Sequence, residues 1–204
     1  FLYTEQIYAL YASYGNKFDW FGFQLGVRGE ETITQANDIN RSYFQVFPSA
    51  YLSFELPKQN EIQLNYTRRI NRPRGRLIDN YIDRSDPTNI SYGNPWLMPE
   101  FSNNVEVNYL KTWDEHTLSA GLYYSYTENV IQRVSKLNSE GVMENTFENI
   151  NYSHNAGIEL IAKNRLFKNY LDLTTSVTGY YYSLGENEEY KIAKTETFSW
   201  NARV

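Results

Sequence analysis

The sequence predicts an all-β protein built as an antiparallel transmembrane β-barrel. Apolar and polar residues alternate along segments much longer than the usual strand of about five or six residues. The connections between these segments are alternately short and long. Aromatic residues make up 17% of the chain, including 19 Tyr and 4 Trp. Because their rings are apolar and their edges polar, they suit a boundary between lipid and water.

The alternation has a period of two, which places successive side chains on opposite faces of a strand. In the segment 44–56 every even position is apolar, from Phe44 to Leu56, whereas Gln45 and Ser53 stand among the odd positions. A tilted strand needs about 9–11 residues to cross a bilayer, so most of these segments are long enough to span one. The nine predicted strands are 3–14, 20–33, 42–56, 61–72, 102–112, 116–133, 146–163, 169–184 and 195–204.

The connections sort by length along the chain. Those around 15–19, 57–60, 113–115 and 164–168 are short, and those at 34–41, 73–101, 134–145 and 185–194 are longer. Membrane barrels show this pattern because tight turns face the periplasm and extended loops face outward. The aromatics near the short turns would form an interfacial girdle, although they could also cap an ordinary core. They are Tyr14, Phe18, Trp20, Phe54, Tyr109, Trp113, Phe167 and Tyr170.

Both ends of the chain have the character of strand interiors, from Phe1-Leu2-Tyr3 to the final Ala202-Arg203-Val204. Nine strands is an odd number, whereas bacterial barrels close with an even one. An open barrel would also leave unpaired strand edges in lipid, where backbone groups cannot bond to water. We therefore expect the chain to be a fragment of a larger barrel.

Composition and motifs exclude several other classes. A net charge of −5 has the wrong sign for a nucleic-acid binder. The lack of Cys excludes disulfides and thiolate sites, and no run of 18 apolar residues provides a transmembrane helix. The sequence has no nucleophile elbow, phosphate loop or His-Glu-x-x-His motif. Ser153 and His154 are neighbours but would point to opposite faces of a strand. We therefore predict no catalytic residue, cofactor or metal ion.

Five segments, taken in order, resemble the C-terminal barrel of TonB-dependent receptors, specifically the Bacteroidetes outer-membrane barrel branch. They are EQIYALY at 5–11, GVRGE at 26–30, FPSAYL at 47–52, YTRRINRP at 66–73 and GNPWLMPE at 93–100. The last resembles the family's Asn-Pro-x-Leu-x-Pro-Glu stretch, which leads from a long external loop into the next strand. The resemblance covers nearly the whole chain and weakens after Lys163.

The resemblance implies that residues 1–204 are part of a barrel of about 22 strands in the bacterial outer membrane. Such receptors have an N-terminal plug, which this chain does not contain, and take energy from TonB. They import a bulky nutrient such as a siderophore, cobalamin, haem or a glycan. The implied partners are TonB, outer-membrane lipid, the transported solute and a surface lipoprotein on the loops.

An arginine run is the sharpest local feature, and it enters the long loop at 73–101. Guanidinium forks bind carboxylate or phosphate with two hydrogen bonds, so an anionic ligand could dock on this loop. The alternative, which we favour, is that Arg68 and Arg69 pair with carboxylates across the barrel wall, and that the Arg and Asp residues of the loop pair with each other. The run comprises Arg68, Arg69, Arg72, Arg74, Arg76 and Arg84. Candidate ligand-binding residues are Arg72, Arg74, Arg76, Tyr81 and Trp96.

The same loop is rich in side-chain oxygens, which are the ligands that calcium prefers. Their spacing matches no defined calcium loop, so we interpret the segment as a solvated turn. The residues concerned are Asp79, Asp83, Ser85, Asp86 and Asn89.

Two other functions compete with a receptor. If the chain belongs to an outer-membrane barrel enzyme, such as a lipase or protease, we expect a reactive Ser or an Asp–His pair on one rim and an activity that does not need TonB. A soluble, aromatic-rich, glycan-binding β-sandwich predicts short strands and a protein that is soluble without detergent.

Overall fold

The computed structural model describes residues 3–36, 39–167, 170–187, 190 and 192–204. Over these residues the chain forms ten strands and one 3₁₀ turn at Gly75–Leu77. No helix in the described ranges is long and apolar enough to cross a membrane. The strands are β1 Tyr3–Lys17, β2 Phe21–Ala36, β3 Ile39–Leu56, β4 Asn60–Asn71, β5 Asn89–Ser91, β6 Glu100–Trp113, β7 His116–Leu137, β8 Met143–Leu166, β9 Leu171–Leu184 and β10 Thr195–Arg203.

All ten strands belong to one sheet, in the order β1-β2-β3-β4-β6-β7-β8-β9-β10, and each long strand pairs antiparallel with the next. The short strand β5 lies off this path and pairs parallel with β8. The sheet is open, with β1 and β10 at its two edges. The predicted all-β antiparallel fold is confirmed, and each predicted strand corresponds to one of the nine long strands.

The predicted loops at 34–41 and 134–145 are wrong, because most of their residues continue the strands. β2 pairs with β3 up to Ala36 and Ile39, and β7 pairs with β8 up to Leu137 and Met143. Ladder bonds join backbone groups, so they continue where the apolar alternation fades. Asn138 then closes the β7–β8 hairpin, since its side-chain oxygen accepts the N–H groups of residues 140 and 142. The structure also contains β5 inside the predicted loop 73–101, where we expected no strand.

The register collects apolar side chains from neighbouring strands on one face, which we call the apolar face. One row across six strands shows the pattern. On the opposite face, a row three positions away along each strand is polar across five strands. The apolar row runs Phe23, Leu52, Leu64, Val107, Leu122 and Ile158, and the polar row runs Ser49, Thr67, Asn104, Ser125 and Asn155. The apolar face is broad and exposed, which is typical of a surface that meets lipid or another protein.

Two aromatic bands border the apolar face. Trp113 lies at the short-turn end of β6, and Tyr124 and Tyr126 lie ten or so residues along β7 from His116. Leu118 and Leu122 stand between them. This interval matches the length of strand that crosses a bilayer, so the rest of the β7–β8 hairpin projects beyond the second band.

β3 and β4 separate well before the ends that lie away from the short turns, which we call the outer ends. Their ladder has eight residue pairs and stops at Ser49 and Thr67. Beyond that point β3 remains paired with β2, whereas β4 remains paired with β6. We call this interval between β3 and β4 the seam. Side chains rather than ladder bonds hold the wall together there.

Candidate functional site

The long connection between β4 and β6 folds back against the polar face of the sheet. We call residues 72–99 the inner loop. Its hydrogen-bond partners include Arg41 on β3 and Asn145 and Asn149 on β8, all at polar-face positions. Leu97 is 4% exposed. The inner loop therefore packs inside the curved sheet instead of extending away from it.

The segment 88–98 of the inner loop covers a strand edge. β9 pairs with β8 only from Ser153 onward, which leaves the outer part of β8 without a neighbour on that side. The parallel strand β5 pairs with residues 143–145. Further along, the side-chain amide of Asn94 donates to the carbonyl of Phe147 at 2.9 Å. An uncovered edge invites pairing with other chains, so this segment protects the outer end of β8.

Gly93 allows two parts of the inner loop to touch. A Cβ atom at this position would lie 2.4 Å from the carbonyl oxygen of Arg76 and 2.6 Å from that of Asp79. The N–H of Gly93 donates to the same carbonyl of Asp79 at 2.8 Å. Any larger residue would force these backbone segments apart. The GNPWLMPE stretch that opens with Gly93 thus has an anchoring role in the structure.

Arg41 joins β3 to the end of the inner loop. Its guanidinium donates to the carbonyls of Trp96 and Leu97 at 3.0 and 3.1 Å and lies 5.0 Å over the Trp96 ring. The sequence analysis did not single out Arg41. Its partners are more than 50 positions away along the chain, and a pattern read from one strand carries no signal of that contact.

Arg68 and Arg72 fill the seam from the β4 side. Arg68 donates to the carbonyl of Val46 at 3.3 Å. Arg72 donates to Glu30 at 2.5 Å and to Thr32 at 3.0 Å, and it lies 3.7 Å from a carboxylate oxygen of Glu5. The side chains of Arg72 and Glu30 are only 9% and 6% exposed. The donors of Arg72 are therefore engaged inside the wall.

The other candidate residues lie in three different places. Arg74 is 72% exposed and reaches Glu5 only at 4.0 Å. Arg76 and Tyr81 line one cleft together. Trp96 borders a separate depression and stacks with Arg41. The structure thus brings together two of the five predicted residues.

The cleft shared by Arg76 and Tyr81 lies between the inner loop and the polar face of β7 and β8. It has a volume of about 410 Å³, and we call it the arginine cleft. Arg133 enters it from β7. Neither Arg76 nor Arg133 has a hydrogen bond or an ion pair with another residue in the described ranges. The walls include Arg76, Tyr81, Asp83, Tyr92, Arg133 and Phe147.

The acceptors around the arginine cleft are largely used by the protein itself. One oxygen of Asp79 accepts the N–H of Tyr81 at 3.0 Å. One oxygen of Asp83 accepts both the hydroxyl and the N–H of Ser85, which lowers the pKa of that carboxyl. Asp83 is therefore ionised at neutral pH. The inner loop does not gather acidic side chains around a cation, and no metal-binding group of three is found among the described residues.

The hydroxyl of Tyr92 donates to Glu144 on β8 at 3.2 Å. Burial raises the pKa of Tyr92, and the nearby Glu144 carboxylate raises it further. Tyr92 therefore stays protonated and acts as a donor across a wide pH range.

The histidines do not pair with a nucleophile. His116 contacts Asn164 at 3.1 Å, and His154 contacts the hydroxyl of Tyr124 at 2.7 Å on the apolar face. Ser153 points to the opposite face, since adjacent residues of a strand alternate. Over the described part of the chain, neither histidine is arranged for acyl transfer.

Comparison with known families identifies the sheet. Residues 1–204 match the model of the outer membrane protein beta-barrel family. The chain belongs to this family. It therefore lies in the bacterial outer membrane, where its apolar face meets lipid and its polar face lines the barrel interior. The predicted localisation is confirmed, and the alternative of a soluble sandwich is wrong.

Solved structures show the same fold as this member of the outer membrane protein beta-barrel family. The siderophore receptor PirA from Pseudomonas aeruginosa has a TM-score of 0.71 at 16% identity, with 98% of this chain and 40% of that chain covered. The FrpB iron transporter from Neisseria meningitidis has a TM-score of 0.61 at 16% identity, with 88% and 26% covered. The Serratia marcescens hemophore receptor HasR has a TM-score of 0.66 at 14% identity, with 90% and 34% covered.

The chain spans 40% or less of the length of these three structures. At such identities the likeness establishes the fold alone. No curated protein matches the chain.

Proposed function

We propose that this chain is part of the barrel of a TonB-dependent receptor, which imports a bulky nutrient across the outer membrane. The inner loop carries the proposal, because it is anchored inside the barrel at the end opposite the short turns. There it narrows the interior and forms a cleft with two unpaired guanidinium groups. A receptor needs such a preformed polar surface on the side from which its ligand arrives. The proposal is also supported by the fold that the chain shares with a siderophore receptor and an iron transporter.

The whole protein, in this proposal, is a barrel of about 22 strands, and residues 1–204 are one part of it. TonB acts through a plug outside this chain. The solute is a siderophore, cobalamin, haem or a glycan, and a surface lipoprotein is a further partner of the loops. We place the protein in the Bacteroidetes branch on the five segments described above. We assign it no enzymatic activity.

The predicted ligand-binding residues divide between two roles in this proposal. Arg74, Arg76, Tyr81 and Trp96 are exposed and face an incoming ligand. Arg72 holds the wall that carries them, through its buried bond to Glu30. Substitution of Arg72 therefore affects ligand uptake indirectly, through the shape of the outer end.

The test is growth of a strain that lacks the gene, compared with its parent. The nutrients are ferric siderophores, haem, cobalamin and glycans, each supplied as the limiting source. We expect one nutrient to support the parent and not the deletion strain, and we expect deletion of tonB to abolish the same growth. Growth that depends on the gene but survives without TonB would contradict the proposal, as would equal growth of both strains on every nutrient.

A further inference from the structure

We propose that the arginine cleft binds a polyhydroxylated anion, namely a sugar ring that carries a carboxylate or a phosphate group. The inference rests on the proposed function, since it names the chemical class of the ligand. Arg133, which is not among the residues that the sequence predicts for the site, is part of this cleft. Some groups of the cleft are free to meet a ligand, and others are already bonded within the protein.

The two guanidinium groups of the cleft differ from their neighbours. Arg41, Arg68 and Arg72 each donate to carbonyl or carboxylate oxygens of the wall and loop. Arg76 and Arg133, within the described ranges, have no such partner and line the same cleft. A guanidinium fork matches the two oxygens of a carboxylate or phosphate. Two free forks in one cleft therefore favour an anionic group.

The carboxylates of the cleft exclude a bare anion as the best ligand. Asp79 and Asp83 offset the charge of the two arginines, so the side chains that line the cleft have no net charge. One oxygen of each is bonded within the loop, and the other accepts no hydrogen bond from a described residue. A ligand that brings hydroxyl donors along with its anionic group satisfies both the forks and the free oxygens.

The aromatic residues that line the cleft add a third requirement for the ligand, which is an apolar face. Tyr81 is 74% exposed, and the ring of Phe147 lies at the cleft from β8. Aromatic rings provide rigid apolar area against which the C–H face of a sugar ring packs. The cleft volume of about 410 Å³ lies within the range of about 300–1,000 Å³ that is usual for small-molecule sites. A hydroxylated ring with one anionic substituent meets all three requirements.

Hydrogen bonds within the protein hold both sides of the cleft in place. Asn145, which lines it, accepts from Ser135 at 2.7 Å and donates to the carbonyl of Ile90 at 3.1 Å. Gly93 holds the two halves of the inner loop in contact through its bond to Asp79. A site that exists before the ligand arrives loses less free energy on binding.

The test is isothermal titration calorimetry on the full-length protein in detergent. The probes are glucuronate, glucose 6-phosphate, glucose and inorganic phosphate. We expect glucuronate or glucose 6-phosphate to bind, and we expect glucose and phosphate to bind at least about tenfold more weakly. The stronger of the two sugar anions then identifies the anionic group as a carboxylate or a phosphate.

Substitutions locate the binding. Arg76→Ala and Arg133→Ala should each weaken it by about tenfold or more, and Arg76→Lys should weaken it less because the charge remains while the fork is lost. Arg84→Ala is the matched control, since Arg84 is an exposed arginine of the same loop that does not line the cleft. Heat-modifiable gel mobility confirms that each variant is folded before its affinity is compared.

Several results would overturn the inference. They are the absence of binding by both sugar anions, equal affinity for glucose and glucuronate, equal affinity for phosphate and glucose 6-phosphate, and unchanged affinity in Arg76→Ala and Arg133→Ala. Failure of the two proposals is distinguishable. If growth depends on TonB but no sugar anion binds, only the proposed ligand class is wrong. If a sugar anion binds but uptake does not depend on TonB, only the proposed transport mechanism is wrong.

Discussion

Two strand pairs of the sheet, separated by β6, are held together in different ways at the ends away from the short turns. β7 and β8 stay paired to the hairpin at Leu137 and Met143. β3 and β4 separate at Ser49 and Thr67, and arginine side chains close the seam. Ladder bonds join backbone atoms and hardly depend on which residues are present. A seam closed by side chains can be opened by one substitution, so we expect mutational sensitivity to differ sharply between the two pairs.

The largest effect is expected for Arg72→Ala. This substitution removes the buried partner of Glu30 and Glu5, and removal of one member of a buried pair costs about 3 kcal/mol or more. Glu30 keeps its ion pair with Arg28 at 2.7 Å, which offsets only part of this cost because Arg28 is half-exposed. The measurement is the free energy of unfolding in urea, in detergent micelles. Arg69→Ala is the control, because Arg69 is an exposed arginine of the adjoining strand β4. Equal stability of the two variants would show that the seam does not depend on Arg72.

Gly93→Ala should have the next largest effect. The added Cβ meets the backbone oxygens of Arg76 and Asp79, and relief of such overpacking costs about 1–3 kcal/mol. We expect limited proteolysis to cleave the inner loop faster while the β7–β8 hairpin remains resistant. At Gly179 an added Cβ would make an ordinary contact of 3.6 Å with Ile158, so Gly179→Ala should leave the cleavage rate unchanged.

Arg41→Ala should have a smaller and more local effect. It removes two hydrogen bonds to backbone carbonyls, one hydrogen bond to the sulfur of Met98 and one cation–π contact from the end of the inner loop, at a cost of about 1–2 kcal/mol. Hydrogen exchange should accelerate at residues 96–98 and not in β7 or β8. Exchange that accelerates along β3 as well would mean that Arg41 supports the whole seam.

The smallest effect is expected from pH. Hydrogen bonds from Thr88 lower the pKa of Asp86, so its folded pKa lies below the unfolded value of about 3.9. The turn is therefore stabilised above that pH, and the stabilisation disappears as pH falls through the lower folded pKa. Unfolding in urea should show that Asp86→Asn is slightly less stable than the parent at pH 6 and equally stable near pH 2. A constant difference across this range would rule out the carboxylate as the cause.

The nine long strands could be predicted from the sequence because lipid imposes a strict alternation on every membrane-crossing segment. That constraint ends where the strands leave the bilayer. Beyond the predicted strand end at 133, β7 continues to Leu137 through Ser135 and Lys136, where the apolar alternation is interrupted. The hairpins β2–β3 and β7–β8 therefore extend three or four residues beyond their predicted outer ends. β1 and β8 also run three residues past their predicted ends at the short turns, whereas the outer ends of β9 and β10 were predicted correctly.

The candidate site could be predicted only in part, for a related reason. The arginine run could be recognised in the sequence as a cluster of charge. Whether each of its arginines is bonded or free, however, depends on partners that lie far away in the chain. Arg72 meets Glu30 at a separation of 42 residues, whereas Arg76 and Arg133 share a cleft only because the inner loop folds inward. The strand register and the path of the inner loop decide which guanidinium group is buried and which is free. The spacing of residues along the sequence predicts neither the register nor the path of the loop.

The covering of β8 by residues 88–98 bears on how the barrel can change over evolution. This segment pairs with the end of β8 that β9 does not reach. The protection of that end of β8 therefore does not depend on the length of the hairpin between β9 and β10. Insertions and deletions at 185–194 can therefore accumulate without exposing a new edge. The cover that residues 88–98 place on β8 thus allows the connection at 185–194 to vary in length and sequence.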